Sequence, residues 1–315
     1  MRRSLLLSRR TALQINAGAA VISLNAALWL LVAVCFALNP ASAQEEPLER
    51  GRYLVETVAF CGICHNARGP DGRMVPGMEL AGGRVMPQNE LRLVLPDLPP
   101  GDFRAVVPNI TPDLETGIGQ WTEAQIATAI REGRRPNGSL IGPPMPINLY
   151  RGLSDRDLTA IVTYLRSVPP KRNAITQRST YPFPVERYGP PIDHVADPAD
   201  NPVARGAYIA GPLAHCTACH TPLVSVTKWD WTRTGAGGVP FEGPSGIVFS
   251  RNITPTGIGD WTDQQIRTVL TTGVGYDGRP LHPGMSARAP VFARYTDRDM
   301  SDLIAYLRSL PPQKS

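Results

Sequence analysis

The sequence predicts a mainly α protein: two tandem copies of one small domain, each of short helices and long loops around a large apolar cofactor. Three observations predict it. The chain repeats itself between Pro47 and Pro312, and a repeat is read before local structure because it sets the number of units. Each copy carries three segments with helical apolar spacing, and no stretch shows convincing strand alternation. Proline (32) and glycine (29) make up close to a fifth of the 315 residues, so loops with defined turns fill much of the chain. Three short helices cannot bury enough apolar surface for a firm core, and a bulky apolar cofactor would supply the missing area.

The repeat is dense. Pro47, Gly51, Tyr53, Cys61, Cys64 and His65 match Pro202, Gly206, Tyr208, Cys216, Cys219 and His220 at one constant offset. Further on, Asn109-Ile110-Thr111-Pro112 matches Asn252-Ile253-Thr254-Pro255, and the block from Gly117 to Trp121 matches Gly257 to Trp261. Gly133, Gly138 and Met145 then match Gly273, Gly278 and Met285, and Ser154 to Pro170 matches Thr296 to Pro312. The expected organisation is an export segment over 1–43, a first domain over 44–170, a proline-rich linker over 171–201 and a second domain over 202–315.

Taken in order, the N-terminal segment holds Arg2, Arg3, Arg9 and Arg10 and no acidic residue. Its uninterrupted apolar stretch, Ala26 to Leu38, is shorter than the ~20 residues of a membrane span and suits a signal peptide, with cleavage between Ala43 and Gln44. The rival is an uncleaved anchor from Ala17 to Leu38. Either reading places the rest of the chain outside the cytoplasm, on the periplasmic side of a bacterial membrane. The leader also explains the net charge of +5: outside it, basic and acidic residues nearly balance, which leaves no basic excess for nucleic acid.

In each copy the first helix follows Pro47 or Pro202, a good first helical residue, and runs toward the cysteines. The second starts at Thr122 or Thr262, with Gln125 or Gln265 completing a capping box and Gly133 or Gly273 ending it. Its apolar residues are Ile126, Ala129 and Ile130, matched by Ile266, Val269 and Leu270. The third is capped by Ser154 or Thr296 and ends at a Pro-Pro pair. Its stripe is Leu158, Ile161, Val162 and Leu165, matched by Met300, Leu303, Ile304 and Leu307. Gly51 with Tyr164, and Gly206 with Tyr306, imply that the first and third helices cross closely.

Five cysteines are present: Cys35 in the leader, and Cys61, Cys64, Cys216 and Cys219 in two C-x-x-C-H motifs completed by His65 and His220. C-x-x-C-H is a haem c attachment signature. Two thiols on one helical turn reach the two vinyl groups of one haem, and the adjacent histidine lies under the iron. A four-cysteine zinc site would leave both histidines without a role, and a redox pair would not need histidine beside it twice. Met145 and Met285, in equivalent loops before the third helix, are the candidate distal ligands, with His282 competing for the second site and Met74, Met78 and Met86 lacking counterparts. Trp121 and Trp261 are candidate walls of the haem pockets. His194 and His215 read as surface or packing residues.

These blocks resemble a known family. Each copy looks like a class I cytochrome c domain, and the Asn-Ile-Thr-Pro, Gly-Ile-Gly-x-Trp-Thr and Tyr-Leu-Arg-Ser-x-Pro-Pro blocks are similar to cytochrome c subunits of bacterial membrane-bound alcohol, gluconate and related dehydrogenases. The resemblance implies an electron-transfer subunit with two covalent haems and no catalytic residues. It would take electrons from a flavoprotein, quinoprotein or molybdenum dehydrogenase subunit and pass them to a downstream acceptor of the respiratory chain. Those subunits usually carry three haem domains, whereas this sequence shows two C-x-x-C-H motifs. The alternatives are a dihaem redox enzyme such as a peroxidase, which needs an open iron site, and a haem subunit of a terminal oxidase.

Overall fold

In a computed structural model of the chain, residues 47–87, 103–225, 228–243 and 246–314 are described. The expected export segment lies outside them. Residues 46–315 form one compact unit, and no described helix is long and apolar enough to cross a membrane.

The same helices are built twice from the same local signals. Helix α1, Pro47–Tyr53, runs into a π-helical turn, Leu54–Val58, and the short α2, Gly62–His65, carries the first motif. Helix α3, Glu123–Glu132, has the expected capping box from Thr122 and Gln125 and ends at Gly133 in the left-handed region (φ 67°). A single turn, α4 (Ile147–Tyr150), precedes α5, Asp155–Ser167, where the Ser154 hydroxyl accepts from the Asp157 amide. In the second half, α6 (Pro202–Tyr208) leads into a π-helical turn at Ile209–Leu213, and α7 (Cys216–His220) carries the second motif. Short turns α8 (Pro255–Ile258), α10 (Pro283–Ser286) and α11 (Ala289–Phe292) surround α9, Asp263–Thr272, which repeats the capping box of α3. Helix α12, Asp297–Ser309, closes the half as α5 closes the first.

The predicted helix crossings are tight. A Cβ on Gly51 would lie 2.0 Å from the Ala160 carbonyl oxygen of α5, and one on Gly206 would lie 1.9 Å from the Asp302 carbonyl oxygen of α12. Tyr164 and Tyr306 lie across the same contacts. A half-buried ion pair sits beside each crossing: Arg50 with Asp157 at 2.9 Å, and Arg205 with Asp302 at 2.6 Å.

Strands appear where the sequence shows none. Antiparallel hairpins join β1 (Val85–Pro87) to β2 (Arg104–Val106), β3 (Leu223–Ser225) to β4 (Lys228–Trp229), and β5 (Pro240–Gly243) to β6 (Gly246–Phe249). At two to four residues each they are too short to display an alternating pattern.

One core serves both halves: Leu54, Ile147 and Leu153 belong to the same buried cluster as Leu213, Met300 and Leu303. The halves also cap each other. The Tyr53 hydroxyl donates to Asp299 (2.6 Å) and accepts from the Thr296 amide (3.1 Å), at the start of the other half's last helix. Reciprocally, the Tyr208 hydroxyl donates to Asp157 (3.0 Å) and accepts from the Ser154 amide (3.1 Å). Residues 171–201 are non-helical and strap the first half. The Lys171 amide donates to the Thr111 hydroxyl, Thr180 pairs with Arg104, and the Tyr188 hydroxyl donates to the Ile141 carbonyl.

Candidate haem sites

Both motifs fold as a single helical turn, which places the two cysteines of each pair on one side of it. The chain enters each turn through a non-glycine residue in the left-handed region, Phe60 (φ 45°) and His215 (φ 61°). That conformation costs roughly 1–2 kcal/mol for an L-residue, and its recurrence shows that the turn's orientation is imposed by its surroundings.

The two histidines are held alike. His65 donates from Nδ1 to the Pro108 carbonyl at 3.0 Å, and His220 donates from Nδ1 to the Arg251 carbonyl at 2.7 Å. A carbonyl can only accept, so the tautomer is fixed and Nε2 keeps its lone pair, the form in which imidazole binds a metal. Burial lowers the pKa of both rings, opposed by these same carbonyl bonds, which favours the neutral ligand.

Residues around the repeated asparagines build the carbonyl support. Pro108 and Arg251 each precede the asparagine of the Asn-Ile-Thr-Pro block. The Asn109 side-chain oxygen accepts from the amide and hydroxyl of Thr111, and its amide donates to the Lys171 carbonyl at 2.7 Å. Asn252 accepts from the amide and hydroxyl of Thr254 and donates to the Gln313 carbonyl at 2.8 Å. Each asparagine therefore ties the ligand-supporting loop to the segment leaving the half's last helix. Gly82 and Gly237 complete the support: their amides donate to the carbonyls of His65 (2.7 Å) and His220 (2.8 Å). Both are left-handed, and a Cβ on either would lie 2.4 Å from the backbone of the supporting loop, at Pro108 and Ser250. Arg166 and Arg308 fasten the other side by donating to the carbonyls of Trp121 and Trp261.

All four cysteines are free and half-buried. Burial, with a smaller contribution from the neighbouring cysteine, pushes the Cys61 thiol up to about 12 and the Cys216 thiol up to about 11. A redox pair needs the opposite, a stabilised thiolate. Among the described residues no three His, Cys, Asp or Glu side chains cluster as a metal site, so the four thiols do not form one tetrahedral centre. Two thiols on one turn, a neutral imidazole with Nε2 available and an apolar surround fit a covalently attached haem in each half.

The structure gathers the other candidates at the same core. Met145 and Met285 pack against it together with Cys61, Cys216, Trp121 and Trp261. Met145 lies just ahead of α4 and Met285 lies within α10. His282 caps α10, its Nδ1 accepting from the Gly284 amide at 3.1 Å. Met74 is exposed and accepts from the Asn66 side chain, and Met78 is half-buried. Met86 is buried in a satellite cluster with Phe103, Ala105 and Val107, against which Cys64 packs. The Arg251 guanidinium covers the Trp261 ring at 4.8 Å.

No family model matches the chain. It is 30% identical over 290 residues to the fructose dehydrogenase cytochrome subunit of Gluconobacter japonicus, covering 87% of this chain and 54% of that one. It is 29% identical over 306 residues to the cytochrome c subunit of the quinone-dependent alcohol dehydrogenase of Gluconacetobacter polyoxogenes, covering 91% and 60%. The chain thus spans a little over half the length of these two relatives. A diheme cytochrome of the c type from Cereibacter sphaeroides is 30% identical over 261 residues, covering 80% of this chain and 82% of that one. The chain belongs to the dihaem c-type cytochromes.

The two sites of this cytochrome differ electrostatically. The Arg288 guanidinium acts on Cys216, Cys219, His215 and His220. At the first motif the guanidinium groups of Arg68 and Arg84 donate instead to the Ile63 carbonyl, at 3.3 and 3.1 Å. The two remaining histidines also part company. His194 is an exposed partner of Asp155 at 2.5 Å. His215 stands edge-on to Tyr150 with ring centroids 4.8 Å apart, and its buried Nε2 has no hydrogen-bond partner. Sequence reasoning assigned no role to Gly82, Gly237, Pro108 or Arg251. The signal for the glycines was present, since they match at the same offset as the cysteines.

Proposed function

We propose that this cytochrome attaches one haem through Cys61 and Cys64 and a second through Cys216 and Cys219, and carries electrons from a dehydrogenase toward the respiratory chain. His65 and Met145 would hold the iron of the first haem, and His220 and Met285 that of the second. A c-type haem supplies a reversible one-electron iron couple in a protected apolar site. The chain's own residues then hold and orient: the carbonyls of Pro108 and Arg251 fix the two histidine rings, and the shared core packs against Met145 and Met285. The two haem-binding halves correspond to residues 44–170 and 202–315, joined by the segment 171–201.

The observation that carries this reading is the repetition of one ligand geometry. Each half presents a thiol pair on one turn, followed by a histidine whose Nδ1 is already committed to a carbonyl. Substrate chemistry is assigned to a separate dehydrogenase subunit, since the named relatives are cytochrome subunits. The Arg-rich, apolar N-terminus supports a periplasmic location at the cytoplasmic membrane, by a cleaved signal or an anchor.

Stopped-flow spectroscopy tests the role. The purified cytochrome is expected to stay oxidised when mixed with an alcohol, an aldehyde or a sugar acid. It should be reduced rapidly once the partner dehydrogenase and its substrate are both present. Reduction by substrate with the cytochrome alone would contradict the carrier role.

A further inference from the structure

Among the described residues one aromatic ring contact crosses between the halves, beside the second attachment motif. Tyr150 of α4 is 5% exposed and belongs to the buried cluster against which Cys61 of its own half packs. Its ring meets the His215 ring of the other half edge-on, with centroids 4.8 Å apart and planes at 76°. His215 is bonded in sequence to Cys216, and its carbonyl accepts from the Ala218 amide inside the second motif. The matched residue in the first half is Phe60, an apolar ring in the same left-handed conformation. The second half instead keeps a histidine whose buried Nε2 is unpaired.

We infer that Tyr150 and His215 form the conduit for electron transfer between the two haems, positioning residues that close the gap between the Cys61–Cys64 attachment and that of Cys216. The inference rests on the proposed attachment of two haems. Each event moves one electron: one ferrous centre becomes ferric, the other ferric centre becomes ferrous, and no proton or further reagent is needed. With both haems attached, this ring contact would supply packed atoms along the path between the two attachment sites. Five residues upstream of Tyr150 stands Met145, so α4 also ties this ring to the proposed distal ligand of the first site.

Pulse radiolysis of the full haem-loaded chain tests this, reading the intramolecular rate after partial reduction, with haem content and both midpoint potentials measured on the same samples. His215→Gly removes the ring at a backbone position that glycine favours. Tyr150→Leu removes the facing ring while keeping apolar volume. Both are expected to slow interhaem transfer several-fold with unchanged potentials, and His215→Phe should retain the parent rate. A parent rate in His215→Gly with two haems attached overturns the conduit, whatever the folding of Tyr150→Leu. Fewer than two haems in the parent chain overturns the reading beneath it.

Discussion

His65 and His220 each have one ring nitrogen committed to a backbone carbonyl, and burial lowers the pKa of both rings. On the proposed ligation, Met145→Ala and Met285→Ala should each remove an iron–thioether charge-transfer band and lower one midpoint potential. Optical spectra and redox titration of the single variants check this; unchanged spectra in both would assign the methionines to packing. Arg288 places a positive charge near the second site only, and a cation opposes the ferric state. Arg288→Gln is therefore expected to lower one of the two potentials by on the order of tens of millivolts, leaving the other in place, as measured by redox titration. The donor side chains were legible in the sequence because each is a particular residue type repeated at a fixed offset. Their supports were not: the orienting group is a backbone carbonyl, which Pro108 and Arg251 supply equally well. The unpaired nitrogen of His215 was equally hidden, because burial without a partner costs about 1–3 kcal/mol yet leaves no mark on sequence pattern.

The helices follow their local signals closely, since caps, terminal glycines and apolar stripes act over a few neighbouring residues. Thr122 with Gln125 and Thr262 with Gln265 form the capping boxes that their spacing indicates. The crossing of first and last helices was also legible, because glycine opposite tyrosine recurs in both copies. Gly51→Ala and Gly206→Ala should each cost at least about 1–3 kcal/mol by overpacking, since the added carbon would sit about 2 Å from a carbonyl oxygen. Thermal or denaturant unfolding measures that loss, and a variant as stable as the parent would show that the helices can move apart. The hairpins could not be foreseen. Val85 pairs with Val106 and Pro240 with Phe249, contacts set by where the loops are pinned and carried by strands too short for a period.

At the scale of the whole molecule, the two halves are one unit because each caps the other. Tyr53 reaches Asp299 and Thr296, while Tyr208 reaches Asp157 and Ser154. Tyr53→Phe and Tyr208→Phe each delete a hydrogen bond to a carboxylate, expected to cost about 1.5–3 kcal/mol. Equilibrium unfolding checks it, and a negligible change would mean that the shared core alone holds the halves together. This reciprocity was not legible from the repeat, since matching residues reveal two copies without saying how they meet. Residues 171–201 likewise read as a plain linker, because their hydrogen bonds to Thr111, Arg104 and Ile141 join positions distant in sequence. The central claim, two covalent haems held by one geometry used twice, is tested most directly by counting them. A pyridine haemochrome assay on the denatured chain should return two c-type haems, neither extractable into acidic solvent. One haem, extractable haem, or zinc in its place would contradict the account.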